Sequence, residues 1–212
     1  MAAARPGSDG EHDLQREYGT SVRADMFYED QFLESLNERM QDFIAAMDMM
    51  WIATSDARGN CDVSFRAGFP GFVRVLDAGT LIWPEYRGNG VLASQGNIAE
   101  NPHVGLMFLD FFESTVGLHV NGAARIIENA ALEHDPDVYA RVADDLAVGG
   151  GRHPERWIRV TVEEAYIHCA KHVPALARVE KTRRWGTDNM RAKGGDFFRA
   201  KAERDERTHR SS

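Results

Sequence analysis

Apolar positions along the chain switch between a period near 3.6 and a period of two, and the switches lay out the elements. Phe32, Leu36, Met40, Phe43, Ile44 and Met47 recur three and four apart, while Glu29, Asp30, Glu34, Glu38 and Asp42 fall mainly opposite. That stripe predicts one amphipathic helix over residues 28–48 packed on a core. From Met49 the period becomes two. Residues 49–55 read as a strand, and Asp56-Ala57-Arg58-Gly59-Asn60 supplies a glycine-containing hairpin turn. In the returning strand, residues 61–67, Cys61, Val63 and Phe65 face one way and Asp62, Ser64 and Arg66 the other. Residues 72–77 and 80–86 predict a second hairpin around Asp77-Ala78-Gly79, and a short helix over 90–100 ends before Pro102. Residues 103–112 are almost continuously apolar, as a strand covered on both faces would be. Residues 116–127 predict a further strand. A helix over 136–147 leads into Gly149-Gly150-Gly151, and 156–169 form a long last strand with Ile158, Val160 and Val162 on one face.

Residues 1–25 lack a steady apolar period and are expected as a flexible arm. Residues 174–200 are expected as helical or irregular, and 199–212 as a charged, solvated tail, which leaves residues 26–198 as the folded domain. Strands joined mainly by hairpins, with few helices, predict a mainly β protein: an antiparallel barrel with peripheral helices rather than a doubly wound sheet.

Composition narrows the function. At 212 residues the chain can bury a full core, and a net charge of −8 disfavours non-specific binding of nucleic acid while leaving room for a local basic pocket. The only two cysteines, Cys61 and Cys169, lie far apart and lack metal-ligand spacing, as expected of a reduced protein. No apolar run approaches the roughly 18 residues of a membrane span, and no apolar segment follows Arg5, so a cytoplasmic location is expected.

Candidate chemistry gathers in a few places. Trp83-Pro84-Glu85-Tyr86 ends a strand, and Arg87-Gly88-Asn89-Gly90 leads into the short helix, with Asn89 placed as its N-cap. Free backbone N–H groups at a helix start, a nearby Arg87, and Ser94 and Asn97 three apart on one helical face suit a phosphate; an ordinary capped turn has the same spacing. Ser64 and Arg66 share a strand face, and Arg74 points away from Val73 and Val75, so an anionic ligand or simple solvent exposure would satisfy these charges. His119 and Asn121 alternate on a strand. His168 and His172 lie about 13 Å apart if extended, so no metal site is expected. Arg178, Lys181, Arg183, Arg184, Arg191 and Lys193 surround Trp185: a solvated basic face, or a flap that brings Trp185 and an arginine to a bound anion. No nucleophile elbow, P-loop or dinucleotide fingerprint is present, which fits chemistry carried by a cofactor.

The pieces Ser64-Phe65-Arg66, Pro70-Gly71-Phe72-Val73-Arg74-Val75-Leu76-Asp77, Trp83 to Gly90, Ser94, Gly96-Asn97-Ile98, Glu100-Asn101-Pro102, Val104-Gly105-Leu106 and Val120-Asn121-Gly122 resemble, in order and spacing, the pyridoxamine 5′-phosphate oxidase-like flavin-binding family. The resemblance spans about residues 28–170 and is strongest to a subgroup of flavin-nucleotide-binding proteins. It implies a split β-barrel and a homodimer with FMN between the subunits, acting as an oxidoreductase on a small molecule, without nucleic acid or membrane as partner. By the same resemblance Ser64, Arg66, Arg87, Asn89, Ser94 and Asn97 match the phosphate-holding places, Val73, Trp83 and Pro84 those that meet the flavin ring, Arg74 a residue toward substrate, and Trp185 a C-terminal tryptophan near the flavin. The chain departs from true pyridoxamine-phosphate oxidases: Leu92-Ala93-Ser94 stands in place of a Ser-Arg-Lys run, and the C-terminal Arg-Leu-His pattern is missing. Relatives of the fold use the deazaflavin F420 or haem, so the alternatives are an F420-dependent reductase and a flavin- or haem-binding carrier or sensor without turnover, haem directing attention to His119, His168 and His172.

Overall fold

The structure, a computed structural model, describes residues 5–210. It opens with two helices, α1 (Asp9–Glu17) and α2 (Ser21–Gln31), and a two-residue strand β1 (Phe32–Leu33). After α3 (Glu38–Ala46) come the hairpins β2 (Met49–Ser55) with β3 (Cys61–Ala67), and β4 (Arg74–Asp77) with β5 (Thr80–Glu85). Then follow α4 (Ala93–Glu100), β6 (His103–Leu109), β7 (Gly117–Ile127), α5 (Asn129–Leu132), α6 (Pro136–Ala147), β8 (Arg156–His168) and α7 (Ala200–Arg210).

All pairings are antiparallel, in the order β3-β2-β6-β7-β8-β5-β4, with β1 alongside the far end of β8. The sheet curls around one core. Met50 and Ile52 of β2, Leu106 and Phe108 of β6, Val120 of β7, Val160 of β8 and Leu81 and Trp83 of β5 all point into it, with Phe72 and Val73 closing one side. Its end strands, β3 and β4, do not pair with each other, so the barrel is split there, as the family resemblance implies. The other face of β5 and β8 packs Ile82 and Trp157 against Val138 and Val142 of α6. Being covered on both faces, β5 is buried along its whole length.

Two helical expectations change. The predicted helix over 28–48 is interrupted: Phe32 and Leu33 pair with Tyr166 and Ala165 of β8, and a new helix starts where Asn37 caps it, its side chain accepting from the Met40 amide at 2.9 Å. The apolar stripe is real, since Leu36 and Ile44 are buried and Met40, Phe43 and Met47 pack against them, but two elements carry it. Residues 9–17 and 21–25, expected within a flexible arm, are helical. Arg5 bonds Asp25 and Gln15, and Gln15 bonds Tyr28, tying the pair together, although neither helix buries a residue. Residues 1–4 of that arm lie outside the described residues. Over 200–210 the expected solvated tail is helical, and most of its described side chains are exposed.

The strand expected over 103–112 ends at Leu109. Asp110 then accepts hydrogen bonds from the amides of Phe112, Glu113 and Ser114 and turns the chain. Only one face of β6 is fully buried: Val104, Leu106 and Phe108 point inward, while Gly105, Met107 and Leu109 are half-covered. No described helix is long and apolar enough to cross a membrane.

Candidate functional site

The last residues of β5, Trp83 to Glu85, run past the end of β4, whose pairing stops at Arg74 opposite Ile82. Proline is tolerated at position 84 for that reason: its missing N–H faces no strand on that side. A cleft of about 1210 Å³ opens at this free edge. Its walls are the Asp62, Ser64 and Arg66 face of β3, Pro84 and Glu85, the loop 86–92, the start of α4 and, opposite, Lys181–Gly186 with Arg191.

At one end two serines meet. Ser94 Oγ on α4 donates to Ser64 Oγ at 3.1 Å, and Ser64 Oγ donates to Asp62 at 3.0 Å. Thirty residues apart in sequence, they meet because α4 is stitched across the β2–β3 hairpin. Asn97 donates to Thr54 at 3.0 Å, Asn101 to Ser55 at 2.8 Å, and the Ala57 amide to Glu100 at 3.1 Å, while Ile98 enters the core.

The floor is a buried carboxylate. Glu85 is 6% exposed. Its Oε1 accepts from Arg66 Nε at 2.7 Å and Trp83 Nε1 at 2.9 Å, and its Oε2 from Gln95 Nε2 at 3.2 Å; the other end of the Gln95 amide accepts from Arg156 at 2.8 Å. A buried charge with three donors is satisfied and held rigidly. The Arg66 guanidinium is thereby fixed at the cleft wall. At the other end, Trp185 packs edge-to-face on Tyr86 at 5.0 Å and near Phe69 at 6.4 Å. Burial, and then the charge of Asp145, push the Tyr86 phenol up, so it stays a neutral donor.

Of the residues singled out from sequence, Ser64, Arg66, Pro84, Arg87, Asn89, Ser94 and Trp185 line this cleft. Four do not. Val73 is buried in the core, and Arg74 reaches Asp145 of α6 at 2.6 Å beside a separate shallow hollow. The Trp83 indole is fully buried and meets the cleft only through Glu85, and Asn97 is spent on Thr54. Asn89 is not an N-cap: its side chain accepts from the Val91 amide at 2.9 Å in a tight turn, and α4 starts four residues later behind Leu92, which sits in the left-handed region at φ 56°. Such strain in a non-glycine residue is costly and recurs in binding loops. Arg87 pairs with Asp188 at 2.7 Å, both exposed. Sequence reasoning missed Glu85, Gln95 and Asp48 as organising groups; the signal for Glu85 was a charge ending an otherwise apolar strand.

His119 and His168 do come together, with Nε2 and Nδ1 3.0 Å apart and His119 stacked on Tyr166 at 4.7 Å. They lie on the outer sheet face, away from the cleft, and His172 is not their partner. Among the described residues no group of three or more metal-binding side chains converges.

A search of curated proteins found no match. Among solved structures, the chain is similar to HupZ of Group A Streptococcus (20% identity, covering 67% of this chain and 99% of that one, TM-score 0.46). It is also similar to a putative pyridoxamine 5′-phosphate oxidase of Lactobacillus delbrueckii (21%, 63% and 95%, 0.46) and to an FMN-binding protein of Syntrophomonas wolfei (12%, 74% and 95%, 0.44). Residues 36–169, from the residue before the α3 cap through the end of β8, match the pyridoxamine 5′-phosphate oxidase family, and the chain belongs to that family.

Proposed function

We propose that the cleft binds FMN and that the protein is an FMN-dependent oxidoreductase acting on a small organic substrate, with two cofactor sites in a homodimer. The observation that carries this reading is the meeting of the Ser64 and Ser94 hydroxyls beside the fixed Arg66 guanidinium, at the mouth of a cleft large enough for a nucleotide. Hydroxyl and guanidinium donors suit a terminal phosphate. Asp62 accepts from Ser64, and a phosphate taking that bond requires the carboxylate to turn aside. Arg87, exposed on its loop, would exchange Asp188 for the anion. The Pro84 edge and the Trp185–Tyr86 pair offer flat apolar surface to a ring system. When bound, the flavin supplies the electron transfer. Arg66 and the serines hold its phosphate, the Glu85 network keeps Arg66 in place, and Trp185 shields the ring end from water.

Lys181, Arg184 and Arg191 line the cleft with no acidic partner among the described residues. These cations favour F420, with its longer anionic tail, as the second reading. Parallel calorimetric titrations decide the cofactor. The expected result is saturable FMN binding that Arg87→Ala weakens by about 1.5–3 kcal/mol, the range for a charge-assisted hydrogen bond. A colourless protein that takes up neither flavin rejects the proposal, and tighter F420 binding reverses the order.

A further inference from the structure

The wall of the cleft opposite α4 is a strap, residues 173–195, without helix or strand. The Leu176 amide donates to the Phe111 carbonyl at 2.7 Å and Asp188 pairs with Arg87 in an exposed contact, and two further places fix its path. The first is Asp48, between α3 and β2, a carboxylate only 5% exposed. It accepts from Arg178 Nη1 at 2.7 Å and from Arg183 Nη2 at 3.2 Å, across 130 and 135 residues of sequence. Arg178 also lies 3.9 Å over the Phe112 ring, and Arg183 donates to the Gly68 carbonyl. The second is Gly151, which packs so closely on the Trp185 backbone that a Cβ there would collide with the Trp185 carbonyl. Trp185 thus follows the first anchor, forms the second with its own backbone, and meets Tyr86 in the cleft.

An exposed ion pair holds little, but a buried carboxylate stripped of its partners is left as an uncompensated charge. Asp48 and Arg183 stand at the strap end of the cleft wall, but Asp48 bonds none of the groups read as phosphate holders; both of its cations come from the strap. We infer that Asp48 is a positioning residue, a latch that holds the strap down and so places Trp185, Lys181 and Arg184 against the ligand. The inference rests on reading the cleft as the cofactor site, and it names what closes that site.

The test uses the full chain, with Asp48→Asn, which removes the charge at constant shape, and Gly151→Val, which pushes the strap off at its other anchor. Two readouts need no ligand. One is acrylamide quenching of Trp185 emission, taken as the difference between each protein and its Trp185→Phe counterpart. The other is trypsin cleavage after Arg183 and Arg184, followed by mass. Both variants are expected to raise strap cleavage at least tenfold, to expose Trp185 to quencher and to weaken FMN binding at least fivefold, and Asp48→Glu to recover most of the protection. If Asp48→Asn fails to fold, the doubly substituted Arg178→Gln, Arg183→Gln chain replaces it, since both arginines sit at the surface, with cleavage compared after Arg184 alone because the substituted position 183 is no trypsin site. Wild-type quenching and cleavage in the variants overturn the latch, as does a released strap with unchanged FMN affinity. A wild-type protein that binds no FMN overturns the cofactor reading alone, and the two ligand-free readouts still decide the latch.

Discussion

A single hydrogen-bonded histidine pair gives the molecule a measurable acid response. His119 and His168 share one bond at 3.0 Å, which needs one ring nitrogen to donate and the other to accept. Burial, and then the neighbouring His168 charge, hold the His119 imidazolium below its ordinary value near 6.5. The unfolded chain therefore binds more protons than the folded one in the window just below 6.5. Stability from this group is fully present above that value and is lost as pH falls through the lowered folded value. The stability advantage of the wild type over His119→Gln should shrink as pH is taken from 7.5 to 5 in thermal unfolding. An advantage constant over that range contradicts the assignment. The other paired groups at this scale behave differently: the Asp110 carboxyl, pushed up by burial but brought down to about 2 by the Ser114, Phe112 and Glu113 amides, stays ionised throughout the window.

Among the elements, what was legible in the sequence was what is fixed locally. The β2–β3 turn was readable because Asp56 itself accepts from the Arg58 and Asn60 amides, an interaction within five residues. The start of α6 is likewise fixed locally, by the Asp135 side chain accepting from the Val138 amide and by Pro136 in the first turn. The helix over 28–48 was overextended because Phe32 and Leu36 continue the 3.6 period while serving a strand pair and the core respectively. The helices at 9–17 and 21–31 leave no stripe because they bury nothing. In the site, Ser64 and Arg66 were legible as one strand face, whereas Asp48 with Arg178 had no local pattern to announce it. A close approach equally invisible in sequence occurs where the β7–β8 register shifts between Asn121 and Gly122. A Cβ on Gly122 would collide with the Thr161 carbonyl, which is backbone and cannot turn away, whereas one on Gly105 would meet the Asn121 side chain at 3.3 Å, which can. Gly122→Ala should cost about 1–3 kcal/mol in urea unfolding, the range for overpacking, and Gly105→Ala clearly less. Equal losses would contradict this account.

For the whole molecule, the outer face of the sheet keeps large apolar side chains exposed. Trp51 packs edge-to-face on Phe65 at 5.4 Å and on Phe111 at 6.0 Å, yet Phe65 remains 54% and Val63 64% exposed, next to the half-covered Met107 and Leu109 of β6. A contiguous apolar patch of this kind marks an interaction surface, and a two-fold axis lets a second copy cover it with the same patch. Because side chains alternate along β3, the strand that would offer Val63 and Phe65 to the partner turns Ser64 and Arg66 into the cleft, one residue away. In the proposed dimer, subunit contact and cofactor binding are therefore two faces of one strand, and they should fail together. Full burial of a phenylalanine contributes about 1.5–3 kcal/mol, and a two-fold contact loses it twice, so Phe65→Glu, which also sets two carboxylates near each other, should convert the dimer to monomer. The same variant should weaken FMN binding at least tenfold, although Phe65 is the one cleft-lining residue it alters and Ser64, Arg66 and Ser94 are left in place. Light scattering over a range of concentrations, with a flavin titration on the same samples, reads both. A wild type that is monomeric at all concentrations removes the dimer, and a monomeric Phe65→Glu chain that binds FMN as tightly as the wild type shows that each cleft is complete within one subunit.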